Sequence, residues 1–275
     1  MANSDTETGY APVNGLDMYY EIRGAGEPLV VLHGAYMTGV GAGIAGMGSY
    51  VAALAENRRV IAPDLQAHGR TADIDRPLRY EPMADDVAAL LRHLGIGQAD
   101  VCGFSMGGAV ALRLAIQHPA LVRKLVAASA STTTTSDGVY PEVLAGISEI
   151  TPEVFAGTPF AEEYARVAPN PDAFPGLVEK LKDLDAQEFT WPDAEIRAIA
   201  APTMVVVGDA DVVRPEHAVE LFRLRGGGVP GDLTGLPDAR LVILPGTTHI
   251  GVIGRAGWLA PMIEAFLAAA MPADQ

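Results

Sequence analysis

Short apolar runs alternate with segments of helical periodicity along most of this chain, and that alternation leaves few architectures open to it. Asp17–Ile22 reads as a strand closed by Gly24-Ala25-Gly26. Leu29-Val30-Val31-Leu32 is apolar without interruption, as a strand covered on both faces must be. Tyr50–Ala55 is helical, Arg59–Ala62 is a strand, and Met83–Leu94 repeats Val87, Leu90, Leu91 and Leu94 at helical spacing. Asp100–Phe104, Leu121–Ala128, Thr203–Val207 and Arg240–Leu244 read as further strands. Ser105–His118, Pro215–Leu224 and Trp258–Ala270 read as helices, the first stopped by Pro119. Repeated strand–helix units predict an α/β fold: a mostly parallel sheet with helices on both faces.

The pattern lapses once. Ser131-Thr132-Thr133-Thr134-Thr135-Ser136 reads as a polar hinge, and an acidic, proline-dotted stretch runs from it to about Ile196. That stretch holds Phe155, Phe160, Tyr164, Phe174, Phe189 and Trp191. We expect a core built from residues 1–131 and 194–275, with residues 132–193 forming a small, mainly helical cap inserted after the sixth strand. The glycine-rich Gly226–Gly231 reads as a surface loop before the last strand.

Composition narrows the chemistry. A formal net charge of -15 excludes a nucleic-acid partner, which needs clustered Lys and Arg, and gives no attraction to an anionic membrane. One cysteine, Cys102, excludes an intrachain disulfide; in its apolar strand it reads as a small core residue rather than a nucleophile. Six scattered histidines give no zinc spacing, Gly24-Ala25-Gly26 lacks the rest of a dinucleotide fingerprint, and there is no Walker lysine loop. No cofactor or metal is therefore expected. Met1–Thr8 is polar and acidic, without the basic start and apolar run of a secretory leader. No apolar stretch reads as long and uninterrupted enough to span a bilayer, so a cytoplasmic protein with no membrane partner is expected. Either a monomer or a homodimer is compatible.

In a parallel sheet, ligands gather beyond the carboxyl ends of the strands. Gly103-Phe104-Ser105-Met106-Gly107 places a serine in a forced turn between strand and helix, with glycines two residues to either side. Gly208-Asp209-Ala210-Asp211 and Pro245-Gly246-Thr247-Thr248-His249 follow two later strands, and His33-Gly34-Ala35-Tyr36 follows the third. Ser, Asp and His thus occur at three strand ends in the order tied to the serine elbow. Alone, Ser105 has a plainer reading as the cap of its helix.

Over essentially its full length the chain resembles an α/β-hydrolase, through His33-Gly34, the loop Asp64-Leu65-Gln66-Ala67-His68-Gly69-Arg70-Thr71, the Ser105 elbow, Gly208–Asp211 and the His249 loop. Ala67 stands where the family often has a glycine, which questions the local turn. The resemblance implies Ser105 as nucleophile, His249 as general base and acid, and Asp211 orienting the imidazole. It also implies an oxyanion hole from the backbone N–H groups of Ala35 and Met106. Family spacing favours Asp211 over Asp209, with Asp137 a distant alternative. His33 reads as shaping the oxyanion loop and His68 as fixing its own loop; His93 and His217 read as solvated, and His118 as a helix-end cation.

Tyr36 and Met37 either touch the substrate or pack beneath the cap. Phe155, Phe160, Trp191 and Ile250 are the other expected substrate contacts. The implied activity is hydrolysis of a carboxylic ester of a small-to-medium, fairly apolar molecule through an acyl-enzyme. A serine at the elbow argues against dehalogenase and epoxide-hydrolase relatives, which use aspartate. Lactone, amide or carbon–carbon bond hydrolysis and perhydrolysis use the same residues, and a ligand-binding receptor of this fold is the non-enzymatic alternative.

Overall fold

The uninterrupted apolar runs lie at the centre of one sheet. A computed structural model describes residues 6–271; the first five residues of the polar opening read above lie outside them. The strands are β1 (Glu7–Val13), β2 (Leu16–Arg23), β3 (Pro28–Leu32), β4 (Arg59–Pro63), β5 (Ala99–Phe104), β6 (Val122–Ala128), β7 (Thr203–Ala210) and β8 (Ala239–Thr248). They form one eight-stranded sheet in the order β1-β2-β4-β3-β5-β6-β7-β8. β1 and β2 pair antiparallel, as do β2 and β4, and every other neighbouring pair is parallel.

The helices are α1 (Gly48–Leu54), α2 (Tyr80–His93), α3 (Met106–Gln117), α4 (Pro141–Gly146), α5 (Pro159–Val167), α6 (Phe174–Ala186), α7 (Asp193–Arg197), α8 (Pro215–Leu224), α9 (Gly231–Thr234) and α10 (Ala256–Ala268). Successive side chains of a strand point to opposite faces, so β3 feeds two cores. Val30 and Leu32 join the apolar residues of α2, α3 and α8, while Leu29 and Val31 join those of α1 and α10. Lys124 is buried beneath α10 and donates to the carbonyls of Phe266 and Leu267 at 3.0 and 3.2 Å, supplying a cation where the helix ends.

Between β6 and β7 the chain is helical (α4–α7), with three short 3₁₀ turns. Leu177, Val178, Leu181 and Leu184 of α6 belong to the same apolar cluster as α2 and α3, so this segment shares the core of the sheet face. The threonine run expected as a hinge is the neck of the segment. Thr133 and Thr190 form an isolated antiparallel bridge, their hydroxyls 2.7 Å apart, and the Trp191 N–H donates to the Thr132 carbonyl at 2.9 Å.

Four local expectations change. β1 has no counterpart in the reading above, because an edge strand exposed on most of its length carries little apolar signal. β8 continues past Leu244 through Pro245-Gly246 to Thr248, its edge position tolerating a proline. Gly231 opens the short α9 instead of ending a loop. The 19 residues Ile250–Ala268 are long and apolar enough to cross a membrane, contrary to expectation. Their apolar side, including Val252, Ile253, Leu259 and Ile263, is buried in the core beside α1, which accounts for the composition.

Candidate active site

β5 delivers Ser105 into a backbone conformation (φ 54°, ψ −122°) that costs energy for any L-residue bearing a Cβ. Its N–H donates to the Ala128 carbonyl at 2.8 Å, and its hydroxyl makes no capping bond to α3, so the helix-cap reading does not describe it. The glycines of the motif are steric necessities. A Cβ at Gly103 would lie 2.1 Å from the Gly107 carbonyl oxygen, and one at Gly107 would lie 2.4 Å from that of His33.

The structure brings Ser105, His249 and Asp211 together. Ser105 Oγ lies 2.9 Å from His249 Nε2, and His249 Nδ1 lies 2.6 Å from Asp211 Oδ1. A carboxylate only accepts, so the imidazole proton sits on Nδ1 and Nε2 is left to accept from the serine. Asp211 is buried and saturated: Oδ1 also accepts from the Val213 N–H at 3.1 Å, and Oδ2 accepts from Ser129 Oγ at 2.6 Å and the Gly208 N–H at 3.3 Å. Burial pushes its carboxyl up, but the hydrogen bond and charge of His249, then Ser129 and Val213, hold it below the ordinary carboxylate range. Asp209, the rival acid, is exposed and accepts from the Gly246 and Thr247 N–H groups at 2.9 and 3.0 Å; it ties β7 to the end of β8. Asp137 lies in an exposed turn.

Ala35 and Met106 flank Ser105, and neither backbone N–H has an acceptor among the described residues. The loop bearing Ala35 is fixed from beneath. Buried His33 donates from Nδ1 to the Gly34 carbonyl at 2.8 Å and accepts the Leu65 N–H on Nε2 at 3.0 Å; burial keeps this imidazole neutral. Asp64 accepts from the Gly39 and Arg70 N–H groups at 2.8 and 2.9 Å. Ala67 adopts φ 65°, so the turn the family builds with glycine is kept here at a strain cost. His68 donates to the Gln66 carbonyl at 2.8 Å, and its burial depresses its pKa to about 3.

Ser105 opens into a cavity of about 410 Å³ with mostly apolar walls. Tyr36, Met37, Phe155, Phe160 and Ile250 line it, as expected of them. Trp191 does not: it is buried outside the cavity, stacked on Phe189 with ring centroids 5.3 Å apart and covered by Arg113. A large aromatic beside the neck completes the core there. His217, expected in solvent, is buried and accepts the Thr132 N–H at 3.1 Å, because α8 turns it toward the neck; His93 is exposed.

Sequence reading missed Ser129, Tyr80, Leu144, Ile147 and Asp185. Asp185 alone left a clear signal, since Leu177, Leu181 and Asp185 recur every four residues and an acid therefore ends the apolar stripe of α6. Among the described residues no group of three or more His, Cys, Asp or Glu is arranged to hold a metal ion.

Comparison with known proteins identifies the fold family. The family model for the alpha/beta hydrolase fold matches residues 27–187. A 2-hydroxymuconate semialdehyde hydrolase of Pseudomonas sp. (strain CF600) is 39% identical over 107 residues, which are 38% of this chain and 36% of that protein, so this match spans little more than a third of the relative. One from Pseudomonas putida is 28% identical over 270 residues, covering 90% of this chain and 89% of the relative. The enol-lactonase of Burkholderia xenovorans LB400 superposes with a TM-score of 0.70 at 23% identity, covering 94% of this chain and all of that one (100%). The chain belongs to the alpha/beta hydrolase fold family.

Proposed function

We propose that the protein hydrolyses a carboxylic ester of a small-to-medium, fairly apolar molecule through a covalent acyl-enzyme, with residues 132–193 as its cap. The observation that carries this reading is the hydrogen-bonded line Ser105–His249–Asp211 opening into an apolar cavity beside two unengaged backbone N–H groups. A neutral hydroxyl attacks carbonyl carbon poorly, so His249 Nε2 takes the Ser105 proton as the new C–O bond forms. Asp211 stabilises the resulting imidazolium and keeps its proton on Nδ1. The carbonyl oxygen gains negative charge in the tetrahedral intermediate and accepts from the Ala35 and Met106 N–H groups, each donor worth about 3–4 kcal/mol. Collapse breaks the ester C–O bond, and His249 returns the proton to the leaving alcohol. Water then attacks the acyl group, with His249 again as base, and frees the acid and Ser105.

A fluorophosphonate should label wild-type protein at Ser105, and short aryl esters should be hydrolysed by it. Retention of either by the Ser105→Ala protein would sink the reading. A second reading uses the same residues on a lactone or a carbon–carbon bond, and similarity to the P. putida 2-hydroxymuconate semialdehyde hydrolase over 90% of this chain favours it. Parallel assays on matched ester, lactone, anilide and vinylogous diketone substrates separate the two.

A further inference from the structure

The cavity holds polar groups that the chemistry of the triad does not use. Asp185, in the last turn of α6, lines the cavity with Ser105 and His249, and makes no ion pair or hydrogen bond among the described residues. It keeps part of its surface toward the cavity while being densely surrounded by protein. Burial pushes its carboxyl up to about 6, and the only charge that opposes this is that of His249. The Tyr36 hydroxyl is buried without a partner, and Tyr36 is held at φ 64°, a conformation a bulky side chain avoids unless its surroundings impose it. The Tyr80 ring lines the same wall, and after burial it is the charge of Asp185 that most raises the pKa of both phenols. Among the described residues no Lys or Arg lines this cavity; a groove that shares Asp185, Thr134, Leu144 and Ile147 with it is lined by Lys182.

Unbonded polar groups in an apolar cavity are unfavourable unless a ligand completes them, and a like charge brought beside a desolvated carboxylate is repelled strongly. We propose that Asp185, with the Tyr36 and Tyr80 hydroxyls, is the specificity determinant of the cavity. It selects substrates whose non-reacting end carries a hydroxyl or amino group and rejects those ending in a carboxylate. This deepens the hydrolase reading of Ser105 and rests on it. Asp185 makes hydrogen bonds to the substrate and takes no part in breaking the bond.

Two sets of esters of matched length test it, one for each end of the scissile bond. The first is the p-nitrophenyl esters of heptanoate, 6-hydroxyhexanoate, 6-aminohexanoate and adipate (monoester). The second is the acetates of heptanol, hexanediol, 6-aminohexanol and 6-hydroxyhexanoate. In one set at pH 8, wild type should favour the hydroxyl and amino ends over methyl by roughly fivefold or more in kcat/KM, and disfavour carboxylate by roughly 100-fold or more. In Asp185→Asn the carboxylate deficit should shrink about tenfold or more, with thermal melting reporting that the variant is folded. Asp185→Ala serves if Asn does not fold. Each comparison is a ratio within one protein, so a general loss of activity cancels.

Turnover with the same ratios in wild type and both variants overturns this inference alone. Absence of turnover and of fluorophosphonate labelling overturns the triad reading instead. In that case, calorimetry on the wild-type protein decides Asp185: hexylamine should bind and hexanoate should not, and the reverse order would end the proposal.

Discussion

The floor and the roof of the cavity are built on opposite principles. The floor is made by the loops after four consecutive strands, and each carries one non-glycine residue with positive φ: Tyr36 after β3, Ala67 after β4, Ser105 after β5 and Ser129 after β6. Such conformations persist only where surrounding bonds over-determine them. Here the bonds are the Ser105 N–H to Ala128, the Ser129 hydroxyl to Asp211 and the His33 imidazole to Leu65. The roof, from α4 to Phe189, uses short helices and 3₁₀ turns with few side-chain caps, and it presents Leu144, Ile147, Ile150 and Phe155 to the cavity. A strained floor held by hydrogen bonds fixes atoms; the roof, packed on the core of the sheet through α6, shapes the cavity above them. The bonded geometry around Ser105 therefore belongs to the first region and much of the apolar cavity wall to the second.

The sharpest break in that comparison is Ser105→Ala, expected to lower ester kcat by roughly 10⁴-fold or more while leaving binding nearly intact. Single-turnover kinetics and calorimetry would check the two halves. Asp211→Asn should cost about 10³–10⁴ in kcat, because the imidazole loses the partner that fixes its tautomer. A loss below about tenfold would show that Asp209 or Ser129 can take over. In the roof, Phe155→Ala should raise KM for a medium-chain ester about tenfold with kcat changed only a few-fold, as removing an apolar wall from a pocket does. A kcat-dominated loss would mean that the roof also positions the reacting carbonyl.

The two acids predict opposite pH signatures in thermal melting. Asp211 is held below the ordinary range, so its stabilisation is present above about pH 4 and is lost as pH falls through its folded value. Asp185 is raised to about 6, so its contribution is present below about pH 4 and is lost as pH rises through 6. Asp185→Asn should thus melt about 2–4 °C above wild type at pH 8, with the gap closing near pH 4. Asp211→Asn should melt below wild type at pH 8, its deficit shrinking in acid. The smallest effect belongs to the neck. Thr133→Val removes the hydroxyl contacts to Thr190 and the Phe189 carbonyl, and should lower stability by about 1 kcal/mol with little change in kcat.

The floor was largely legible in the sequence. Glycines at 103 and 107 are demanded by backbone atoms about 2 Å from where a side chain would begin, so the elbow carries its own steric signature. The roof was not. Trp191 and Phe155 look alike as aromatics in a poorly patterned stretch, yet one is sealed against Phe189 and Arg113 and the other faces the cavity. His217 and His93 both lie on helices, and only the packing of α8 against the neck separates the buried one from the exposed one.

Strand–helix alternation by itself determined the parallel sheet, and the residues at strand ends determined which side chains stand ready for chemistry, because both follow from local periodicity and backbone sterics. The tertiary structure decided which of Asp209 and Asp211, two residues apart at the end of β7, meets His249. A partner for His249 is chosen by where β8 ends, and that depends on contacts far apart in the chain. It also decided that the acid ending the apolar stripe of α6 shares a cavity with Ser105, since only packing brings the roof over the floor.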